Sequence, residues 1–203
     1  MTVGAGGGHD GAMDERAAIH EGLNVFRALE AWGAKLYAAW AENEPDERLR
    51  AGHLVIAERE ATHARLLAER IRALGGEPGP ACVDHVLAAQ LAELRDVVGF
   101  VAQLDGLKRC STRDAARMAP CQEALRQGFD AAKAVDPETH RFWAELYSEE
   151  RVSGGWYRAT YSALTKGAPH PVPLPVLDPG QVVRRAERVT FTAGEPAACA
   201  AVL

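Results

Sequence analysis

The sequence predicts an all-α protein: a four-helix bundle with an extra helical segment between its third and fourth long helices and an extended C-terminal tail. Three observations predict it. Alanine, leucine, glutamate and arginine are abundant while aromatic residues make up 6% of the chain, a mixture that favours helix over sheet. Apolar residues recur at helical spacing through four long segments. Start and stop signals of specific chemistry separate those segments.

Helix A is expected from about Asp14 to Glu42, with Ile19, Leu23, Phe26, Gly33, Tyr37 and Trp40 as its apolar stripe, and "NEPDE" ends it. Asp46 is placed to cap helix B, which carries Leu49, Ile56, Leu67 and Ile71 on one face. "GGEPGP" at 75–80 stops helix B, because glycine suits a C-cap and proline cannot continue a helix. Helix C is expected to start near Asp84 and to reach at least Arg109, with Val83, Leu87, Leu94, Val97, Val101 and Leu104 as its stripe. Residues 110–135 read as a further helical stretch interrupted at Pro120 and Gly128. Helix D opens with "DPE", Asp136 as N-cap and Pro137 in the first turn, carries Trp143, Leu146, Tyr157, Tyr161 and Leu164, and closes at Gly167. The domain organisation is therefore a glycine-rich, disordered start over 1–13, a bundle over 14–166, and a tail over 167–203. The tail's "PHPVPLPVLDPG" is expected to be extended and to pack over the bundle or over a partner subunit, which would make a homodimer.

Composition narrows the function. A net charge of −5 and a pI near 5.8 argue against a broad nucleic-acid-binding surface. No apolar run approaches the ~20 residues that cross a bilayer, and the N-terminus lacks the basic start and apolar stretch of a secretory signal. No membrane partner is expected, and the cytoplasm is the default location. Cys82, Cys110, Cys121 and Cys199 form no C-x-x-C pair, so no rubredoxin-like or zinc-ribbon module is present and the thiols are expected to be buried or idle.

The informative residues are charges that fall on apolar stripes. Glu30 lies between Phe26 and Gly33, Glu60 between Ile56 and Leu67 with His63 one turn on, Glu150 between Leu146 and Tyr157 with Ser153 one turn on, and Asp105 four residues after Val101. Carboxylates converging in one core repel each other unless a cation sits among them, and two divalent metals would supply that charge. Positions i and i+3 share a helical face, so Glu60 and His63 offer an oxygen and a nitrogen ligand from one turn. Sliding the chain by ninety residues sets Glu60 on Glu150, His63 on Ser153 and Leu67 on Tyr157. "LEAWG" around Glu30 likewise matches "LDGLK" around Asp105. The result is a pseudo-repeat of two helical hairpins.

This pattern resembles the ferritin-like superfamily, in its rubrerythrin and di-iron carboxylate branch, over about residues 14–166. The resemblance implies metal ligands at Glu30, Glu60 and His63 in the first half and at Asp105 and Glu150 in the second. Ser153 stands where the family's second histidine would be, so the second half-site is altered. Glu93, about 100° off the helix C stripe, competes with Asp105. Glu149 reads either as a solvated charge or as a substitute ligand for the missing imidazole. His53 reads as a residue behind the ligands or of the pocket, with Tyr157, Tyr37, Trp40 and Trp143 as pocket lining. Arg59, Arg65, Arg70 and Arg72 fit a solvated face.

The resemblance further implies two iron ions, or two manganese ions, and an oxidoreductase using dioxygen or peroxide on a small substrate in the bundle core. Without a cysteine module, electrons must come from an external donor or from the substrate. A bundle that kept the fold and lost the metals, iron storage, and a tRNA-modifying hydroxylase are the alternatives.

Overall fold

In a computed structural model of the chain, residues 9–166 are described. The expected tail from 167 onward, Cys199 within it, and residues 1–8 of the expected disordered start lie outside the described residues. Five helices and no strand make up the described chain: α1 (His9–Asn43), α2 (Glu47–Ala73), α3 (Asp84–Leu94), α4 (Phe100–Val135) and α5 (Pro137–Thr165). The helix expected from Asp14 thus begins at His9.

The expected caps are in place. Asp46 accepts from the backbone N–H of Arg48 at 2.9 Å and of Leu49 at 3.3 Å, and Asp136 accepts from that of Thr139 at 3.0 Å. Each satisfies donors that the first turn of a helix leaves unpaired. Gly75, at φ +82°, ends α2 in the left-handed conformation that glycine adopts at no steric cost.

Two boundaries differ from the sequence reading. Helix C ends at Leu94, and a new helix runs unbroken from Phe100 through Pro120 and Gly128 to Val135. The extra segment therefore precedes the third long helix. Residues 95–99 separate the two helices, and Gly99, at φ +88°, stands at the N-cap of α4. Pro120 is tolerated because its side of α4 is exposed, where water can serve the carbonyl that loses its partner.

Packing partners fix the directions of the helices. Glu30 meets His63 across α1 and α2, which join through a short turn and run antiparallel. Trp40 Nε1 donates to the carbonyl of Leu94 at 2.8 Å at one end of the molecule, while Ile19, Leu23 and Ala132 share a core cluster at the other. Hence α1 and α4 are antiparallel. His53 stacks on Phe100 near the start of both α2 and α4, and Ile71 and Ala132 share a core cluster near the end of both, so these two helices run parallel. Antiparallel α5 returns along α4, with Tyr161 reaching Asp105 and Phe129 reaching His140. One long connection, residues 74–99 with α3 in it, carries the chain from one end of the molecule to the other.

The α1–α4 crossing is set by two glycines. A Cβ at Gly128 would lie 2.7 Å from the carbonyl oxygen of Ala18, 3.0 Å from Gly22 Cα and 3.1 Å from the Trp143 ring. Backbone on the far side cannot be moved by a rotamer change. Gly128→Ala is expected to destabilise the protein by about 2 kcal/mol despite its better helix propensity, read as a lower midpoint in urea unfolding.

Cys82 and Cys121 form a disulfide, with Cα atoms 6.0 Å apart, tying the segment before α3 to α4. This corrects the expectation of idle thiols for that pair; Cys110 remains a buried free thiol. No helix among the described residues is long and apolar enough to cross a membrane.

Candidate metal centre

Antiparallel α2 and α5 meet through a ladder of polar rungs. From one end to the other these are His53–Tyr157, Arg59–Ser153, His63–Glu149 and Arg70–Thr139. The middle two rungs, with Glu30 from α1, form the candidate site.

His63 is fully buried and both its ring nitrogens face carboxylates. Nε2 donates to Glu149 Oε2 at 2.6 Å, and Nδ1 donates to Glu30 Oε2 at 3.0 Å with Glu150 Oε1 at 3.5 Å. Burial alone would lower its pKa. Hydrogen bonds to Glu149, Glu150 and Glu30 outweigh that and raise it to about 11, which favours the protonated ring. Burial raises the pKa of Glu30, which the His63 hydrogen bond partly offsets. Burial and then the charges of Glu30 and Glu150 push Glu60 well above the usual carboxylate range.

Arg59 corrects the sequence reading most sharply. It is not on a solvated face but 1% exposed. Its Nη2 donates to Glu60 Oε1 at 2.6 Å and to Glu150 Oε1 at 2.7 Å, while Nη1 donates to the Glu149 carbonyl at 3.0 Å and to Ser153 Oγ. Burial opposes its charge, and the carboxylates of Glu150 and Glu60 more than compensate. Arg70 is buried too, held by Thr139, Asp136 and Glu138 at the start of α5. Arg65 and Arg72 are exposed as expected.

The other predicted residues sort clearly. Glu30, His63 and Glu150 offer donor atoms that all lie within 4.8 Å of one another. Glu60 is buried beside them but turned to Arg59, in the space that Gly33 leaves: a Cβ there would sit 3.0 Å from Glu60 Oε2. Ser153 is buried and faces the site through Arg59. Glu149, read as a solvated charge or a substitute ligand, is buried, and its Oε1 has no hydrogen-bond partner.

Asp105 is not brought to the group and instead accepts from Tyr161 Oη at 2.8 Å. The break at Gly99 resets the phase of α4, so Gln103, Gly106 and Cys110 form the buried face in place of the expected Val101 and Leu104. Its competitor Glu93 is exposed and paired with Arg113 at 2.6 Å.

His53 and Tyr157 belong to an aromatic floor about two turns along the helices from the site, made with Trp40, Phe100 and Trp156. Gln103 donates through its amide to the Val97 carbonyl, so its Oε1 accepts from His53 Nε2 at 3.1 Å, and His53 Nδ1 accepts from Tyr157 Oη at 3.1 Å. Trp143, expected in the pocket lining, instead packs with Ile19, Leu23 and Phe26 in the core cluster at the far end. Tyr37 lies against Tyr157, ring centroids 5.4 Å apart.

The mid-helix glycines of α5 do not make room for a neighbour. A Cβ at Gly155 would meet nothing within 4 Å, and one at Gly154 only the flexible end of Arg158. Gly155→Ala is expected to raise stability by about 1 kcal/mol, measured by urea unfolding with the fold unchanged.

A single metal fits these donors. Glu149 holds one ring nitrogen of His63 and thereby aims the other at Glu30 and Glu150, the arrangement by which carboxylates orient metal-binding imidazoles. A second metal does not fit the chain as folded, because the Arg59 guanidinium lies between Glu60 and Glu150. No family model, curated protein or solved structure matches the chain.

Proposed function

We propose that the chain is a ferritin-like bundle whose core holds a redox metal, iron or manganese, and that it acts as an oxidoreductase on a small substrate with an external electron donor. The observation that carries this reading is the Glu30–His63–Glu150 donor group with Glu149 on the opposite ring nitrogen. Imidazole and carboxylate donors suit iron and manganese. The helix directions support the fold assignment, since two antiparallel pairs joined by one long crossover match the ferritin-like arrangement.

When bound, the metal would supply one-electron chemistry with dioxygen or peroxide. Glu30, His63 and Glu150 would hold it, and Glu149 would keep the imidazole in the ligating orientation. Binding would require His63 Nδ1, hydrogen-bonded to Glu30 in the metal-free chain, to release its proton to solvent so that both groups can act as ligands. The aromatic floor of Trp40, Phe100, Trp156 and Tyr157 keeps water from that side.

Purified protein is expected to carry iron or manganese by elemental analysis, and His63→Ala and Glu30→Ala to lose it with helix content retained. Full occupancy in either variant would end the assignment. The second reading is a bundle without metal that acts as a binding or structural protein, and Arg59 favours it by already neutralising Glu60 and Glu150. Absence of metal, with thermal stability unmoved by added Mn²⁺ or Fe²⁺, would overturn the metal reading in favour of this one.

A further inference from the structure

We infer that Arg59 is the second cation of this centre, built into the chain, and that the protein holds one metal ion where two would otherwise sit. The inference rests on the metal reading above and adds its stoichiometry.

Position is the first argument. Arg59 Nη2 lies 2.6 Å from Glu60 Oε1 and 2.7 Å from Glu150 Oε1, linking a carboxylate of α2 to one of α5 as a second ion would. Its Nη1 donates to Ser153 Oγ, and Ser153 is the position where the ninety-residue repeat sets a partner for His63. A histidine there would compete with the guanidinium for the same space. Serine is small enough to leave that space and still accept a hydrogen bond from Arg59. The absent imidazole and the present guanidinium are thus one substitution spread over two helices.

Charge is the second argument. Glu30, Glu60 and Glu149 bring three buried carboxylates together, and Glu150 adds a fourth that is half-buried. With Arg59 and one divalent ion on a neutral His63, one net negative charge remains. With Arg59 and two divalent ions the region becomes net positive in a low-dielectric interior, which is costly without further anions. Donor supply agrees: among the described residues the group that could hold an ion is Glu30, His63 and Glu150, and Glu60 is outside it.

The test counts ions on the full chain. Metal-free protein is titrated with Co²⁺, followed by visible absorption, and with Mn²⁺, followed by electron paramagnetic resonance. Wild type and Arg59→Lys are expected to take one ion per chain, with an uncoupled Mn²⁺ spectrum. The pair Arg59→Met with Ser153→His is expected to take two, with exchange-coupled Mn²⁺. Wild type that takes two ions, or the double variant that takes one, overturns the role of Arg59 and leaves the metal reading standing. Wild type that takes none overturns both. Should the double variant fail to fold, the wild-type count and the presence or absence of coupling still decide.

Discussion

Arg59→Met is expected to cost the metal-free protein about 3–5 kcal/mol of stability, the usual result of removing one partner from a buried ion pair. The loss does not come from the pair's own strength. Glu60 and Glu150 would keep their positions between α2 and α5 with nothing positive between them, and the Ser153 hydroxyl and Glu149 carbonyl would lose their donor. Protonation of a carboxyl would relieve part of the cost, so the deficit should shrink as the pH falls. Urea unfolding at pH 7 measures it. A loss under about 1 kcal/mol, the range of an exposed pair, would mean that the guanidinium is not holding these groups together. Added divalent cation should restore part of the loss in the variant, because an ion that binds only the folded state stabilises it by mass action.

Acid should separate His53 from the rest of the molecule. Burial holds its pKa down at about 4, against about 6.5 in an unfolded chain. The native state therefore binds fewer protons than the unfolded state between those values. Stability from this group is fully present above pH 6.5 and is lost as the pH falls towards 4, by roughly 3 kcal/mol over the window. The carboxyls of Glu30 and Glu60, raised by burial, work in the opposite direction as they take up protons on acidification. The clean measurement is the difference between wild type and His53→Gln across pH 4–7. Wild type should fall relative to the variant by that amount, and a parallel pair of curves would show that His53 is not held neutral. His63 has the reverse sign. Its pKa of about 11 means that its contribution is whole below pH 6.5 and is lost as the pH rises from there through 11.

Much of this architecture is legible in the amino-acid sequence, and the misreadings have definite causes. Asp46, Asp136 and Pro137 mark helix starts because their chemistry is local and does not depend on what packs nearby. Glu30, Glu60, His63 and Ser153 are buried, as expected, because each sits in phase with apolar neighbours on its own helix. Asp105 misleads because phase does not carry across a break, and Gly99 in "VVGF" is the signal that marks the break. Arg59 and Glu149 are each one residue from a recognised position, Glu60 or Glu150, and helical periodicity alone sends such neighbours about 100° away. Long side chains span that angle, and Arg59 does so because the carboxylates attract it inward. The cysteine pair is invisible for another reason: Cys82 and Cys121 are 39 residues apart, and nothing local announces a crosslink at that separation.

The buried groups of the site are not equally hidden. Side-chain exposure is 0% for His63, 1% for Arg59, 4% for Glu30, 6% for Glu149 and 7% for Glu60, but 33% for Glu150. Of these six side chains Glu150 is thus the one that reaches solvent. An ion, an oxidant or a small molecule arriving from solvent would meet that carboxylate first, beside the bare backbone of Gly154 and Gly155. Entry would then begin at the one ligand that still touches water, with the Arg59 guanidinium directly behind it.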